Sequence, residues 1–372
     1  MTQTIFNPSQ KEVIKLKLEE VIADIQPVSE EWRLKAGEYL NNLAIPPGSL
    51  GELLDLAQCL ASIKETLKPS VKSKAVVTMA GDHGVVDEGV SAFPREVTPQ
   101  MVANFVAGGA SINVLAKVAG ARVAVVDMGV AADLNEFVRQ EKILSYKLGY
   151  GTGNMARGPA MSREQALQAL ETGMEVAAKL VREGVELLAT GDMGIGNTTP
   201  SAAILAALSG CQARQAAGKG TGISDEALEN KIRVIEKSLE VNKPNPADPV
   251  DVLAKVGGFE IGGIAGVILG AAYHRVPVVV DGFISSAGAL LAKGLVPESV
   301  DYMIASHRSR ESGHGLMLEE LGLKPLLDLN LRLGEGTGAT LAMNIIESAA
   351  QVICNVLTFQ EAGVARNETT LP

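Results

Sequence analysis

Aromatic residues are scarce in this sequence. They make up only 3% of its 372 residues, whereas 47% of the residues are hydrophobic and 39 are glycines. The core must therefore be built mainly from Ala, Val, Leu and Ile. Small residues let helices approach a sheet closely, so this composition favours α/β layers over a β-sandwich.

Positive charge and cysteine are also scarce. The formal net charge of −10 argues against binding of nucleic acid or an anionic membrane, because such surfaces concentrate Lys and Arg. It still allows a local basic pocket for one phosphate. The three cysteines, Cys59, Cys211 and Cys354, form neither a CxxC pair nor a disulfide framework. We interpret them as small apolar side chains in a reducing compartment.

The sequence shows no signal peptide and no long apolar run. A signal peptide needs a basic region followed by an apolar one, and the first residues have neither. The longest apolar run, residues 262–272, is shorter than the roughly 18 residues of a membrane span, and Arg275 closes it. We therefore expect a soluble, cytoplasmic protein.

Two kinds of pattern divide the chain. Residues 8–67 show apolar residues at spacings of three and four, which predicts helices at 11–25, 30–44 and 51–67. From Lys74 onward, short β-rich runs alternate with Ala-rich helices. The predicted strands are 75–80, 121–129, 185–190, 277–283 and 302–306, and the predicted helices are 99–119, 163–183, 200–208, 262–275 and 339–359. This alternation predicts a mainly parallel sheet covered on both faces, with the last helix packed on the N-terminal helices.

Polar residues cluster where four predicted strands end. These clusters are residues 81–84, 191–199, 284–286 and 307–310, and they are rich in Gly, Ser, Thr, His and Asp. The carboxyl ends of parallel strands meet at one edge of a sheet, where open α/β sheets bind ligands. Any one cluster alone could be an ordinary turn. The four together predict a ligand site.

The second cluster resembles a phosphate-binding turn. Gly194, Gly196, Asn197 and Thr198 lead into a predicted helix with Thr199 as its N-cap and Pro200 in its first turn. Such a turn offers free N–H groups to a phosphate, although a capped helix with nothing bound is the alternative. No P-loop motif occurs and no GxGxxG follows a strand, so a P-loop NTPase and a hydride-transfer enzyme are disfavoured.

One carboxylate stands between glycines near the end of the sheet region, in the segment Leu331–Gly338. This residue is Glu335, and its loop joins an apolar run to a buried-looking helix. Desolvation there would raise its pKa toward the range useful for proton abstraction. A solvent-facing turn residue is the alternative interpretation.

Histidines and an aspartate near the strand ends suggest a metal site as another possibility. The residues are Asp82, His83, His307 and His314, and their spacing matches no compact metal signature. We therefore expect these histidines to hold loops by hydrogen bonds, and we expect no metal and no cofactor.

Eight segments in a fixed order carry a family resemblance. They are residues 46–51 (PPGSLG), 80–102 (AGDHGVVDEGVSAFPREVTPQMV), 151–162 (GTGNMARGPAMS), 191–202 (GDMGIGNTTPSA), 258–263 (GFEIGG), 279–290 (VVDGFISSAGAL), 306–314 (SHRSRESGH) and 331–339 (LRLGEGTGA). In this combination the chain resembles, over nearly its whole length, the nicotinate-nucleotide–dimethylbenzimidazole phosphoribosyltransferases, which make the lower nucleotide loop of cobamides.

The resemblance implies an α/β fold with a Rossmann-like, six-stranded parallel sheet flanked by helices and a smaller helical domain built from both chain ends. The corresponding boundaries are 1–70 for the N-terminal part of the small domain, 71–337 for the catalytic domain and 338–372 for the C-terminal helix and tail. It also implies a homodimer whose small domain reaches toward the partner's active site.

The resemblance also implies roles for individual residues. Glu335 corresponds to the general base, and Asp192 stands where the family pattern leads us to expect Glu. The remaining implied residues contact either the nucleotide donor (Gly194, Gly196, Asn197, Thr198, Lys231, Gly282 and Ser309) or the acceptor base (Phe93, Gln100, Met101 and Leu333). The expected partners are small molecules only: nicotinate mononucleotide and dimethylbenzimidazole or a related base.

This function has rivals from two other classes. A non-catalytic nucleotide or base sensor could use the same strand-end loops for recognition alone, but it would have no need of Glu335 as a base. A nucleoside phosphorylase or nucleotide hydrolase could use the same phosphoribosyl site with phosphate or water as acceptor.

Overall fold

The computed structural model describes residues 16–220 and 222–365. The described residues form six strands: β1 (Lys74–Gly81), β2 (Ala121–Gly129), β3 (Leu144–Ser145), β4 (Leu187–Met193), β5 (Val278–Val280) and β6 (Met303–Ala305). The helices of the first half are α1 (Leu18–Asp24), α2 (Glu30–Leu40), α3 (Glu52–Lys64), α4 (Val97–Ala107), α5 (Ser111–Ala119), α6 (Asn135–Arg139), α7 (Arg163–Arg182) and α8 (Thr198–Ser209). Those of the second half are α9 (Ala213–Ala216), α10 (Asp225–Asn242), α11 (Pro249–Val256), α12 (Phe259–Tyr273), α13 (Phe283–Leu295), α14 (His314–Leu321), α15 (Thr337–Asn355) and α16 (Phe359–Ala362).

The strands form one sheet in the order β3-β2-β1-β4-β5-β6, and every neighbouring pair is parallel. The first strand, β1, lies at the centre of the sheet. Strands β2 and β3 extend the sheet to one edge, and β4, β5 and β6 then extend it on the other side of β1. The order therefore reverses between β1 and β4, which is where open α/β sheets bind ligands at their carboxyl ends. The predicted Rossmann-like α/β fold is confirmed.

Helices cover both faces of this sheet. Alternate residues of β1 point to opposite faces, since side chains alternate along a strand. Val77 joins the core that includes residues of α7, α12 and α13, whereas Val76 joins the core that includes residues of α3, α5 and α15. Both central strands are buried along their whole length, as expected for a parallel sheet between two helical layers.

Most predicted elements are present, with shifted ends. All five predicted strands exist, but β4 continues to Met193, so Asp192 lies inside the strand and not in the loop after it. The two-residue strand β3 completes the six strands that the resemblance implies, but its position was not predicted from the residues. The long C-terminal helix, α15, packs on α3 as predicted. The predicted first helix begins only at Leu18 within the described residues, and residues 11–15 lie outside them.

The single helix predicted over residues 99–119 is wrong. Gly108 adopts the left-handed conformation (φ 78°) and ends α4, and the Asn113 side chain then accepts a hydrogen bond from the N–H of Ala110 at the start of α5 (3.2 Å). By length and composition alone the stretch Val97–Ala119, with mean hydropathy 1.4, could cross a membrane. The break leaves helices of 11 and 9 residues, each shorter than the roughly 20 residues that a span requires.

Helices α7 and α12 cross at glycines, with their backbones in contact. A Cβ atom on Gly173 would lie 2.0 Å from the carbonyl oxygen of Gly263, and one on Gly266 would lie 2.0 Å from that of Leu170. No flexible side chain stands at these contacts, so an added methyl group could be accommodated only by separating the helices.

We therefore expect Gly173→Ala to destabilise the protein by about 2 kcal/mol, because overpacking outweighs the better helix propensity of alanine. Urea unfolding followed by circular dichroism measures this. Gly315→Ala is the matched control, since Gly315 is also helical but has no atom within 4 Å of its added Cβ position. Equal stability of the two variants would contradict the packing argument.

Candidate active site

The predicted polar clusters converge at the carboxyl edge of the sheet. A Cβ atom on Gly194 would lie 2.2 Å from the carbonyl oxygen of Gly81 and 3.3 Å from Nε2 of His83. On the other side, a Cβ atom on Gly282 would lie 3.3 Å from the His307 ring and 3.9 Å from Cβ of Ser309. The clusters after β1, β4, β5 and β6 therefore meet along one rim, as predicted.

The backbone around Glu335 lies against the ends of the central strands. Its N–H donates to the carbonyl oxygen of Asp192 (3.2 Å), and its own carbonyl oxygen accepts from the hydroxyl of Thr78 (3.1 Å). A Cβ atom on Gly191 would lie only 2.3 Å from that carbonyl oxygen, so glycine is required there for the loop to approach. These contacts hold Glu335 directly over β1 and β4.

The Glu335 side chain is buried, with only 5% of the residue exposed. Its Oε2 accepts a hydrogen bond from the backbone N–H of Ile112 (3.2 Å), in the first turn of α5. Burial raises the pKa of Glu335, and the hydrogen bond from Ile112 opposes this rise. The expected desolvation of this carboxyl group is confirmed, and the alternative of a solvent-facing turn residue is excluded.

A second carboxyl group, Asp192, lies beside the same loop. Both of its oxygens would be 3.0 Å from a Cβ atom on Gly334, and Oδ2 accepts from the side-chain amide of Asn197 (2.9 Å). Burial raises the pKa of Asp192 well above its usual range. The neighbouring carboxyl of Asp281 adds to the rise, and the Asn197 hydrogen bond opposes it. Glu335 lies in this short loop and Asp192 lies beside it, and the pKa of each carboxyl group is raised.

The turn into α8 is tighter than predicted. The helix begins at Thr198 with Asn197 at its N-cap position, so the predicted N-cap at Thr199 is wrong. The reason is that Gly196, with φ 89°, turns the chain and places Thr199 already within hydrogen-bonding distance of its carbonyl. Pro200 lies in the first turn of the helix, as predicted. The glycine-rich approach to a helix N-terminus is therefore present.

A buried lysine stands behind this helix start. Nζ of Lys231, on α10, donates to Oγ1 of Thr198 (2.7 Å) and to the carbonyl oxygen of Gly218 (3.0 Å). Burial lowers the pKa of Lys231 to about 8, although the nearby Glu311 carboxylate acts in the opposite direction. Glu311 also accepts from the N–H of Gly220 (3.2 Å), which draws the 218–220 loop toward the lysine. Lys231 and Thr198 thus form one polar cluster.

The residues that the resemblance assigns to the acceptor base lie on more open segments. Phe93 and Leu333 are 50% and 56% exposed, Gln100 is exposed and Met101 is half-buried. The start of α4 contacts the turn after β4, because Thr98 Oγ1 accepts from the N–H of Ile195 (3.1 Å). These segments border the rim; the Phe93 and Leu333 side chains are exposed, whereas Met101 also packs against the core.

The histidines act as hydrogen-bonding groups, as predicted. Nδ1 of His314 accepts from the N–H of Ser309 (2.8 Å), and its other nitrogen lies 3.0 Å from Oγ of Ser286. Burial lowers the pKa of His307 to about 4 and that of His314 to about 3, so both rings are neutral at physiological pH. Within residues 16–220 and 222–365, no group of three or more His, Cys, Asp or Glu side chains is arranged to hold a metal ion.

Two buried acids of the rim were missed by the sequence reasoning. Asp281 follows β5, and Glu260 lies in the first turn of α12, where its Oε1 is 2.7 Å from Nε2 of His83. Asp281 directly follows the apolar run at 277–280, and Glu260 is a lone charge in an apolar helix. Both patterns were available signals for buried functional acids.

Comparisons with known proteins agree with this geometry. A family profile described as "Phosphoribosyltransferase" matches residues 25–364. Proteins named nicotinate-nucleotide–dimethylbenzimidazole phosphoribosyltransferase are similar in Syntrophotalea carbinolica (56% identity over 94% of this chain and 99% of that protein) and Geobacter sp. strain M21 (54% identity over 93% and 99%). The crystal structure of CobT from Thermus thermophilus superposes with a TM-score of 0.87 at 47% identity, covering 91% of this chain and 100% of that one. This chain belongs to the nicotinate-nucleotide–dimethylbenzimidazole phosphoribosyltransferase family.

Proposed function

We propose that this protein transfers the phosphoribosyl group of nicotinate mononucleotide to dimethylbenzimidazole or a similar base. The products are α-ribazole phosphate and nicotinate, and the ribotide serves the lower loop of cobalamin. The observation that carries the proposal is the buried Glu335 carboxyl, with its raised pKa, at a rim that also holds a helix N-terminus and a buried lysine. The names of the relatives supply the substrates.

The donor phosphate fits the polar cluster of Lys231 and Thr198. A lysine ammonium, a hydroxyl and the free N–H groups at the start of α8 are groups that bind phosphate in proteins. Gly194 and Gly196 let the phosphoribosyl group approach the backbone, and Asn197 orients the neighbouring Asp192 carboxyl through its hydrogen bond. Gly282 and Ser309, on the far side of the rim, complete the nucleotide contacts in this proposal.

Glu335 acts as the general base. The acceptor is an imidazole-type base, whose nitrogen is a weak nucleophile while the other nitrogen keeps its proton. Glu335 takes that proton as the free nitrogen attacks C1′ of the ribose. The bond from C1′ to nicotinate breaks, and its electron pair neutralises the pyridinium leaving group. Attack opposite to the leaving group inverts C1′ and gives the α-ribotide.

The second carboxyl, Asp192, stabilises positive charge on the ribose and on the pyridinium. A bound cation favours the ionised form of nearby acids, so donor binding lowers the raised pKa values of Asp192 and Glu335. Asp192 is one methylene shorter than the glutamate expected at this position, and its Asn197 contact fixes where the shorter side chain ends. Phe93, Gln100, Met101 and Leu333 border the acceptor, and three of the four offer apolar surface to a flat base.

We infer that the chain divides at residues 70 and 337 and works as a cytoplasmic homodimer. The packing of α15 on α3, and a bridge between Leu43 and Thr358, support one small helical unit built from both ends. Exposed Val114 and Val118 support a partner subunit. These apolar side chains face outward on α5, the helix whose first turn donates a hydrogen bond to Glu335.

An assay with two substrates separates this function from its rivals. The protein is incubated with nicotinate mononucleotide, with and without dimethylbenzimidazole, and products are followed by chromatography. A transferase releases nicotinate and forms a ribotide only when the base is present. Nicotinate release without base identifies a hydrolase, release that requires inorganic phosphate identifies a phosphorylase, and no turnover identifies a sensor.

In this assay Glu335→Gln should lose at least about 10²-fold in kcat, the usual scale of general-base catalysis, with donor binding nearly unchanged. The matched control is Glu141→Gln, since Glu141 shares the left-handed conformation (φ 56°) but is exposed and lies away from the rim. Wild-type turnover by Glu335→Gln would rule out the base assignment.

Donor affinity should depend on pH through Lys231. Below about pH 8 the lysine is charged and attracts the phosphate; above it the lysine is neutral, so the dissociation constant of nicotinate mononucleotide should rise by up to about tenfold per pH unit. The donor phosphate is fully ionised in this range, because its second pKa is about 6. Calorimetric titrations between about pH 7.5 and 9.5 measure the effect.

Lys231→Met is the control for this prediction. It should bind the donor more weakly at every pH, and with no change in affinity across the same range. An equal pH dependence in this variant and the wild type would show that another group is responsible.

A further inference from the structure

The backbone of Asp281 is fixed from both sides at the rim. Its N–H donates to Oγ1 of Thr190 on β4 (3.4 Å), and its carbonyl oxygen accepts from Oγ of Ser306, directly after β6 (2.8 Å). The residue is 1% exposed. Neighbouring strands on either side therefore determine where its carboxyl group lies.

Both carboxyl oxygens of Asp281 point at the start of α15. Oδ2 accepts from the N–H of Gly336 (3.2 Å), and Oδ1 accepts from the N–H of Ala339 (2.9 Å). Gly336 directly follows Glu335, so one side chain holds both the loop that carries the general base and the first turn of the helix behind it. Free N–H groups at a helix start are natural partners for a carboxylate.

This loop has a backbone that needs such support. Gly334, Glu335 and Gly336 all lie in the left-handed region, with φ of 86°, 64° and 94°. Glycine adopts this region freely, whereas a glutamate there is strained and keeps the conformation only if its surroundings hold it. If Gly336 were released, Glu335 could relax and its carboxyl group would leave the N–H of Ile112.

We propose that Asp281 is a positioning residue for phosphoribosyl transfer, which holds Gly336 and Ala339 so that the Glu335 carboxyl group faces the acceptor base. The proposal rests on the proposed function, in which Glu335 is the base. Asp281 itself touches no substrate in this scheme. It acts through the loop.

Asp281 also has a charge that responds to pH. Burial raises its pKa to about 7, the N–H groups of Ala339 and Gly336 oppose the rise, and the Glu335 carboxylate adds to it. The other titratable groups around it are Asp192 on β4 and His307 after β6, whose Nδ1 is 4.0 Å from Oδ1 of Asp281. His307 is neutral near pH 7.

Ionisation of Asp281 strengthens the base that it positions. As pH rises through about 7, Asp281 gains its negative charge, binds the two N–H groups more strongly, and raises the proton affinity of Glu335. A better-held and more basic Glu335 abstracts the acceptor proton more readily. The wild-type kcat/KM should therefore rise with a group near pH 7, in addition to the limb set by Glu335 itself.

The test is Asp281→Asn in the full-length protein. The amide keeps the shape of the side chain but offers only one acceptor oxygen and no charge. We expect kcat to fall at least about tenfold, since small misplacements of catalytic groups cost up to about 10²-fold, while KM for the donor stays within about threefold. We also expect the rise near pH 7 to disappear.

A double variant tests whether Asp281 acts through the base. Asp281→Asn combined with Glu335→Gln should be no slower than Glu335→Gln alone, because the residue being positioned is already disabled. A further loss of tenfold or more in the double variant would show an independent role and overturn the proposal.

The matched control is Asp127→Asn. Asp127 is also a fully buried aspartate at the end of a strand, and its Oδ1 accepts from the N–H of Val130 (2.9 Å), but it serves a different loop. Its variant should lose stability and keep the rise near pH 7. If Asp281→Asn keeps that rise, or turns over within about twofold of wild type, the proposal is wrong.

Three further outcomes are distinguishable. If Asp281→Asn does not fold, Asp281→Glu, which keeps the charge and lengthens the side chain, takes its place, and wild-type kcat would overturn the proposal. If Glu335→Gln retains activity, the base assignment fails. If Glu335→Gln is inactive and Asp281→Asn is unaffected, only the positioning role fails.

Discussion

The site depends on one close backbone contact, between the Glu335 loop and the end of β4. The carbonyl oxygen of Glu335 lies where a side chain on Gly191 would be, and the N–H of Glu335 reaches back to Asp192. This contact joins the end of β4, in the middle of the chain, to the start of α15 near the C-terminal end of the chain. It places a buried carboxyl group above the point where the strand order reverses, and this is the group that the proposed function uses as a base.

Helix N-termini make the burial of several acids at this rim tolerable. Glu335 accepts from the first turn of α5, and Asp281 accepts from the first turn of α15. Each helix start offers N–H groups without partners and a partial positive charge, which stabilise a carboxylate without a buried cation. The acids keep raised pKa values because this compensation is partial. A full salt bridge would lower the proton affinity that a general base needs.

Local patterns predicted the sheet and the rim, but contacts between distant residues decided the details. The apolar runs predicted all five longer strands. The break at Gly108 and the early start of α8 depend on single glycines whose conformation the sequence does not reveal. Helices α10, α11, α13 and α14 were not predicted, partly because the Ser-rich stretch after β5 was interpreted as a loop although it begins α13. Asp281 was missed because its partners are about 55 residues away in the chain.

In the proposed function, the charged groups of the rim suit the charges of the donor. Nicotinate mononucleotide has a phosphate at one end and a pyridinium cation beside the ribose. The rim has Lys231 hydrogen-bonded to Thr198 at the start of α8, whereas the Asp192 carboxyl group lies at the end of β4 and the Glu335 carboxyl group in the loop before α15. A donor bound in reverse would bring its phosphate to buried acids and its cation to a lysine. In the proposed scheme, electrostatic attraction therefore selects one orientation of the donor, in which C1′ lies next to the Glu335 carboxyl group.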